Sequence, residues 1–165
     1  MKRNIGNIIT KCHIVDMAGK AEVQLYEVAE DQGGFITTPQ ALHIGINRMT
    51  LVMMADRGTL ERYSRGVYRL TRFPYDQFTQ YWAAVLWPLV PGAVLSHETA
   101  LALFQLSDVL PSKVHISVPM DRRVRRTPPS YLILHRASLT VGDVTIEHGL
   151  PVTTSVRTIR DCRDL

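Results

Sequence analysis

Asn47, Arg48 and Thr50 stand together just after Gly45, and arginines follow at positions 62, 65 and 69. These residue types suit nucleic acid. Arginine bonds bidentately to guanine O6 and N7, and asparagine to adenine N6 and N7, each pair contributing roughly 1–3 kcal/mol of base discrimination. Asn47 serves equally well as a helix cap, so both roles stay open for it. Arg62, Arg65 and Arg69 would reach phosphates or the minor groove, contacts that position a protein without reading sequence. Arg62 and Arg69 have the alternative of anchoring on Glu27 or Glu30. Between Gly45 and Arg72 six arginines face two acids, a local excess equal to the +4 of the whole chain. Such a field attracts phosphate backbones. A second basic run, Arg122-Arg123-Val124-Arg125-Arg126, offers another DNA contact, a contact with an acidic partner, or a solvated loop.

Catalytic chemistry is not expected. His97-Glu98 follows Ser96, but no second ordered partner accompanies the pair, and Glu98 at a helix N-terminus is explained by the helix dipole. His13, His43, His115, His135 and His148 fall on different predicted elements, with no carboxylate in metal-ligand register. No phosphate-binding glycine loop or G-x-S-x-G elbow is present. The expectation is therefore no enzyme, no metal and no cofactor. Cys12 and Cys162 read as a reduced thiol pair.

The elements that must position the basic residues follow from periodicity and breakers. Ala21–Gln32 is a predicted helix with Val23, Leu25, Tyr26, Val28 and Ala29 on one face, stopped by Gly33-Gly34. Thr38 is the expected N-cap of a short helix Pro39–His43, which Gly45 breaks. Asn47 opens a second helix to about Arg57, in which Leu51, Val52, Met53 and Met54 are expected in the core. Residues 59–63 and 67–71 read as strands joined by Ser64-Arg65-Gly66, with Gly66 at the φ > 0 position of the turn. Two short helices, a turn and a hairpin outline a winged helix-turn-helix. A helix over 75–86 carries an aromatic stripe of Phe78, Tyr81 and Trp82 with Val85 and Leu86. Ser96 is expected to cap a helix to about Leu106. Val114, Ile116 and Val118 alternate with His115 and Ser117 as a half-buried strand. Strands over 131–136 and 144–147 follow. Thr154 caps a last helix with Val156, Ile159 and Cys162 on its apolar side, and the chain reads as truncated within it.

The fold class is thus α+β: a winged helix-turn-helix followed by a small α/β domain. The expected divisions are an arm at 1–19, the DNA-binding domain at 20–73, a connecting aromatic helix at 74–91 and the α/β domain at 92–165. Apolar residues make up 45% of the chain and charged residues 21%, enough apolar surface to drive folding and exclude disorder. Apolar runs such as 82–90 fall far short of the eighteen or so residues that span a bilayer. The first nineteen residues lack the apolar core of a signal peptide, so a cytoplasmic location is expected.

Several of these segments resemble the AbiEi family, the antitoxins of type IV toxin–antitoxin and abortive-infection operons. The resemblance lies in residues 34–41, Gly45-Ile46, Leu51, Gly58–Arg62 and Arg65–Arg69. It continues in Leu95–Leu101, Leu106–Val109, Val114–Pro119, Gly149–Thr154 and Arg157–Asp161. It implies a DNA-binding repressor of its own operon, acting on inverted repeats in double-stranded DNA, beside a gene for a nucleotidyltransferase-like toxin. Carried over by position, it makes Thr38, Asn47, Arg48, Thr50, Arg62, Arg65 and Arg69 the DNA contacts and assigns the C-terminal segment to antitoxin activity. Family members usually continue past the last helix, and residues 1–16 have no counterpart. Oligomeric state stays open, a homodimer on DNA among the options. The alternatives are a protein-interaction module that neutralises or senses a partner toxin, or the DNA-targeting part of a longer nuclease.

Overall fold

The computed structural model describes residues 19–108 and 110–163. Most of the expected arm at 1–19 therefore lies outside the described residues. Helix α1 (19–30) buries Ala21, Leu25 and Ala29, one residue per turn. Val23 is out of phase with that stripe and is 60% exposed, which corrects its expected place on the inner face. Gly33 and Gly34 end the helix at φ values of 60° and 85°. Neither position has room for a Cβ, which would lie 2.5 Å from Trp82 at the first and from Phe73 at the second.

A buried strand that periodicity does not reveal comes next, β1 (Phe35–Thr37), too short to display alternation. It leads directly into α2 (Thr38–His43). The cap is Thr37 rather than Thr38, because Gln40 closes a reciprocal capping box with it. The Thr37 N–H donates to Gln40 Oε1 at 2.9 Å. Asn47 caps α3 (Arg48–Asp56) as expected. Strands β2 (Leu60–Ser64) and β3 (Val67–Leu70) complete an antiparallel sheet of order β1-β3-β2, with an irregularity between Arg62 and Ser64. Leu25, Ile36, Leu51, Leu60 and Leu70 form the centre of this first core.

Helix α4 (Thr79–Leu86) starts four residues later than its apolar pattern predicts. Asp76 accepts from the Phe78 N–H and from the Thr79 hydroxyl, both at 2.9 Å, which holds residues 76–78 in a turn. The helix then serves two cores. Ala83 packs with Phe35 and Val67 of the first sheet, whereas Ala84 and Val85 join the core of the second.

The second sheet has order β6-β5-β4-β8-β7, built from β4 (Val94–Leu95), β5 (Val114–Pro119), β6 (Leu132–Ala137), β7 (Val144–Glu147) and β8 (Leu150–Thr153). It is mixed: β5–β6 and β4–β8 are parallel, β4–β5 and β7–β8 antiparallel. Two helices, α5 (His97–Leu103) and α6 (Ser155–Arg163), pack against each other, and α5 also packs on β5 and β8. Strand β5 is buried on both faces rather than half-buried. Its Val114, Ile116 and Val118 join the apolar core, while His115 and Ser117 enter a buried polar layer on the side of Ser96 and Thr99. Ser96 does not cap α5 through its side chain: its hydroxyl accepts from Ser117 at 2.8 Å and meets His97 Nδ1 at 2.9 Å. Helix α6 also departs from expectation. It buries Thr158 and leaves Val156 79% and Ile159 57% exposed, because Thr158 bonds to Thr153 and Arg157 to the Ser138 carbonyl, with Asp161 paired to Arg157 along the same helix.

Burial lowers the basicity of three histidines in the polar layer. His135 is pushed down to about 4 by desolvation and then by the neighbouring His97 and His115, with Asp161 opposing. His97 and His115 are lowered by burial too, against the pull of Asp161 and Glu98; Arg157 adds to the effect at His97 and Lys113 at His115. An unfolded histidine titrates near 6.5, so the unfolded chain binds these protons first as pH falls. The stabilisation from a neutral His135 is complete above about 6.5 and is lost as pH falls towards about 4. In EDTA-containing buffer, Tm should therefore fall less between pH 7 and pH 4 in His135→Gln than in the wild type. Parallel losses in the two proteins would show that His135 does not carry this dependence.

Candidate nucleic-acid interface

Helix α3 presents one exposed face. Asn47 Oδ1 accepts from the Thr50 N–H at 2.8 Å and from its hydroxyl at 3.1 Å. The oxygen is thus committed to the cap, and a bidentate contact from Asn47 to adenine would have to break it. Of the two roles open to this residue, the geometry favours the cap. Thr50 is half-buried and held in the same pair, whereas Arg48 is exposed. Leu51 and Met54 are core residues as expected, but Val52 and Met53 are not: they are 44% and 38% exposed. With Met49, 67% exposed, they follow the i, i+3, i+4 spacing of one outer face. Arg48 and these apolar side chains thus share the exposed surface of α3.

The hairpin β2–β3 packs beside α3. Arg62 is exposed on the edge strand β2, and Arg65 is exposed at the tip. The tip is held on three sides. Gly66, at φ 77°, approaches Leu89 so closely that a Cβ would lie 2.9 Å from its Cδ1. The Thr38 N–H donates to Gly66 O at 2.9 Å, so half-buried Thr38 supports the tip through its backbone. Arg126 Nη2 donates to Arg65 O at 2.8 Å.

Arg69 takes a different place from its neighbours. It is 1% exposed, and its Nη2 donates to the carbonyls of Phe73 and Pro74, each at 2.6 Å. The guanidinium lies 3.9 Å from the ring centroid of Tyr75, whose hydroxyl bonds to Glu61. Glu61 stands opposite Arg69 in the ladder. A group enclosed in this way does not reach DNA, so Arg69 is corrected from a surface contact to a buried strut. Arg72 makes an ion pair to α1 with Glu22, and among the described residues neither Arg62 nor Arg69 pairs with Glu27 or Glu30.

The second basic run is likewise not uniform. Arg126 stacks over Trp87 at 4.7 Å and bonds to the Trp87 carbonyl as well as to Arg65. Arg122 lies near Asp121 at 3.6 Å, and its carbonyl accepts from Arg136 at 2.6 Å. Arg123 and Arg125 are exposed. The run therefore fixes the hairpin tip with one arginine and leaves the other three exposed. Sequence inspection missed the Arg126–Arg65 link, since nothing local joins positions 61 residues apart.

Two short helices, each capped by a side chain, stand beside a hairpin that exposes Arg62 and Arg65. Residues 23–71 match the family model of the transcriptional regulator, AbiEi antitoxin, and this segment is a domain of that family. No curated protein matches the chain.

The geometry separates stability from binding at Arg69. Replacing it by methionine keeps the aliphatic stem but removes two charge-assisted hydrogen bonds, a loss of about 3 kcal/mol. Urea unfolding of Arg69→Met should show a lower midpoint at unchanged slope. An unaltered midpoint would contradict the buried-strut assignment.

Proposed function

We propose that the chain is a sequence-specific DNA-binding regulator that represses its own operon in an antitoxin setting, using residues 20–73 as a winged helix-turn-helix. One observation carries this reading: within the segment that matches the regulator family, Arg48, Arg62 and Arg65 are all exposed on the second helix and the hairpin. Arg48 is assigned to base edges, with Met49 and Val52 beside it against thymine methyls. Arg62 and Arg65 are assigned to phosphates. Asn47 and Thr50 orient the helix through the cap, and Thr38 steadies the hairpin tip. Arg123 and Arg125 extend the positive surface towards flanking DNA. Double-stranded DNA with inverted repeats is the proposed ligand, bound without catalysis or cofactor.

For the C-terminal half we propose contact with a nucleotidyltransferase-like toxin encoded next door. Val156 and Ile159, exposed one turn apart on α6, support a protein contact there. Among the described residues no helix is long and apolar enough to cross a membrane.

The test is fluorescence anisotropy with DNA from upstream of the chain's own gene, across a range of salt. Counterion release predicts a steep loss of affinity with salt, and Arg65→Ala should reduce the log–log slope by about 1. Arg48→Ala should cut the ratio of specific to scrambled-DNA affinity by about tenfold. If both variants bind like wild type at fixed salt, the assigned contacts are wrong. Co-purification with the neighbouring gene product should survive Arg48→Ala and fail in Val156→Asp/Ile159→Asp; retention in the double variant would remove α6 from the toxin contact.

A further inference from the structure

Among the described residues, His97, His115 and His135 bring one ring nitrogen each into a cluster whose atoms all lie within 4.8 Å of one another. They come from three elements, and the sheet topology explains the meeting. Strands β5 and β6 are parallel with Ser117 opposite His135, so His115, two residues before Ser117, projects from the same face and lies diagonal to His135. Strand β4 pairs with β5 on the other side, Leu95 opposite Ile116, and delivers His97 two residues later. His97 takes φ 52°, a left-handed conformation that a non-glycine residue adopts at a cost.

The donor geometry suits a metal ion. His135 Nε2 and His115 Nδ1 are 3.2 Å apart. Two nitrogens at about 2.0–2.1 Å from a tetrahedral zinc ion stand roughly 3.3 Å from each other. The other nitrogen of His115, Nε2, lies 3.6 Å from Glu98 Oε2. A ligating histidine commonly has such a carboxylate behind it, fixing its tautomer and raising its basicity. His97 Nδ1 is held by Ser96 Oγ at 2.9 Å, which leaves Nε2 for a ligand. The His97 and His135 rings are stacked, centroids 3.7 Å apart, so binding one ion requires His97 to turn about its Cβ–Cγ bond and to give up the Ser96 contact as it does so. A pocket of about 470 Å³ borders two of the three histidines, His97 and His135, with Arg157 and Asp161 also in its wall.

We propose that His97, His115 and His135 bind one divalent first-row transition ion, with Zn²⁺ the best match to three imidazoles and an open fourth position. The ion ties the start of α5 to β5 and β6 and so stabilises the C-terminal sheet. This assignment does not rest on the DNA-binding reading. Nor was it accessible from sequence, where these histidines have no ligand-like spacing.

The untagged full chain, stripped with EDTA and dialysed, should take up one equivalent of Zn²⁺ in competition with a chromophoric chelator. Zinc should also raise its Tm. His97→Gln, His115→Gln and His135→Gln should each lower Zn²⁺ affinity at least tenfold, and Glu98→Gln should lower it to a smaller extent. Circular dichroism in EDTA identifies any variant that fails to fold, and His135→Asn, at the least buried of the three positions, then serves as a further variant. The Cys12→Ser/His13→Gln double variant should bind as wild type does. Co²⁺ substitution should give ligand-field bands without thiolate charge transfer. Wild-type uptake no greater than that of a folded histidine variant would overturn the site. So would loss of binding in the Cys12→Ser/His13→Gln protein, or a thiolate band abolished by Cys162→Ser.

Discussion

The placement of α4 between two sheets is the constraint on which the rest of the molecule depends. Its small residues make this possible. Adjacent alanines at 83 and 84 let backbone approach backbone in two directions, Ala83 towards Phe35 and Val67, Ala84 into the second core. Trp82 packs against both cores and lies over Gly33, where a Cβ would stand 2.5 Å from its ring. The glycine turn after α1, the hairpin tip at Gly66 and the second sheet are all located by contact with this one helix or the residues just after it. The middle element shares apolar surface with the first sheet on one side and the second on the other.

Buried arginine shows where charge counting ends and structure begins. The excess of arginine between 45 and 72 is a property of composition. Its distribution between surface and interior is not. Arg69 sits opposite Glu61 on a three-stranded sheet and closes against the chain that leaves it, its charge met by two carbonyls and the face of Tyr75. Arg48, Arg62 and Arg65 remain outside. What the surroundings offer each arginine, carbonyls and an aromatic face or open water, decides its role.

Legibility in the sequence followed the range of the interactions. The Asn47 cap, the stop at Gly33-Gly34 and the hairpin turn at Gly66 rest on contacts within a few residues, and each could be read locally. Thr37 displaced Thr38 as a cap because the partner, Gln40, counts back three residues and not two. Strand β1 is three residues long, below the length at which a period of two can show. Val52 and Met53 read as core because an apolar run on a short helix has no clear phase. The histidine cluster was beyond local reading altogether. It exists only once β5 and β6 are known to run parallel and in which register, a long-range fact. The polar face of α6, turned inward, inverted the usual rule for the same reason: Thr153 and Ser138, which meet it, lie on other elements.

The Arg126 strut bears on the energetics of whatever the hairpin meets. A basic hairpin that projects freely samples many conformations and must surrender that freedom on association. Here the tip is bonded at Arg65 to a guanidinium that is itself stacked on Trp87, and Gly66 is bonded to the start of α2. Most of its ordering has been completed during folding. The hairpin is preorganised, and the entropy that a loose wing would lose at the moment of contact is lost before any ligand arrives.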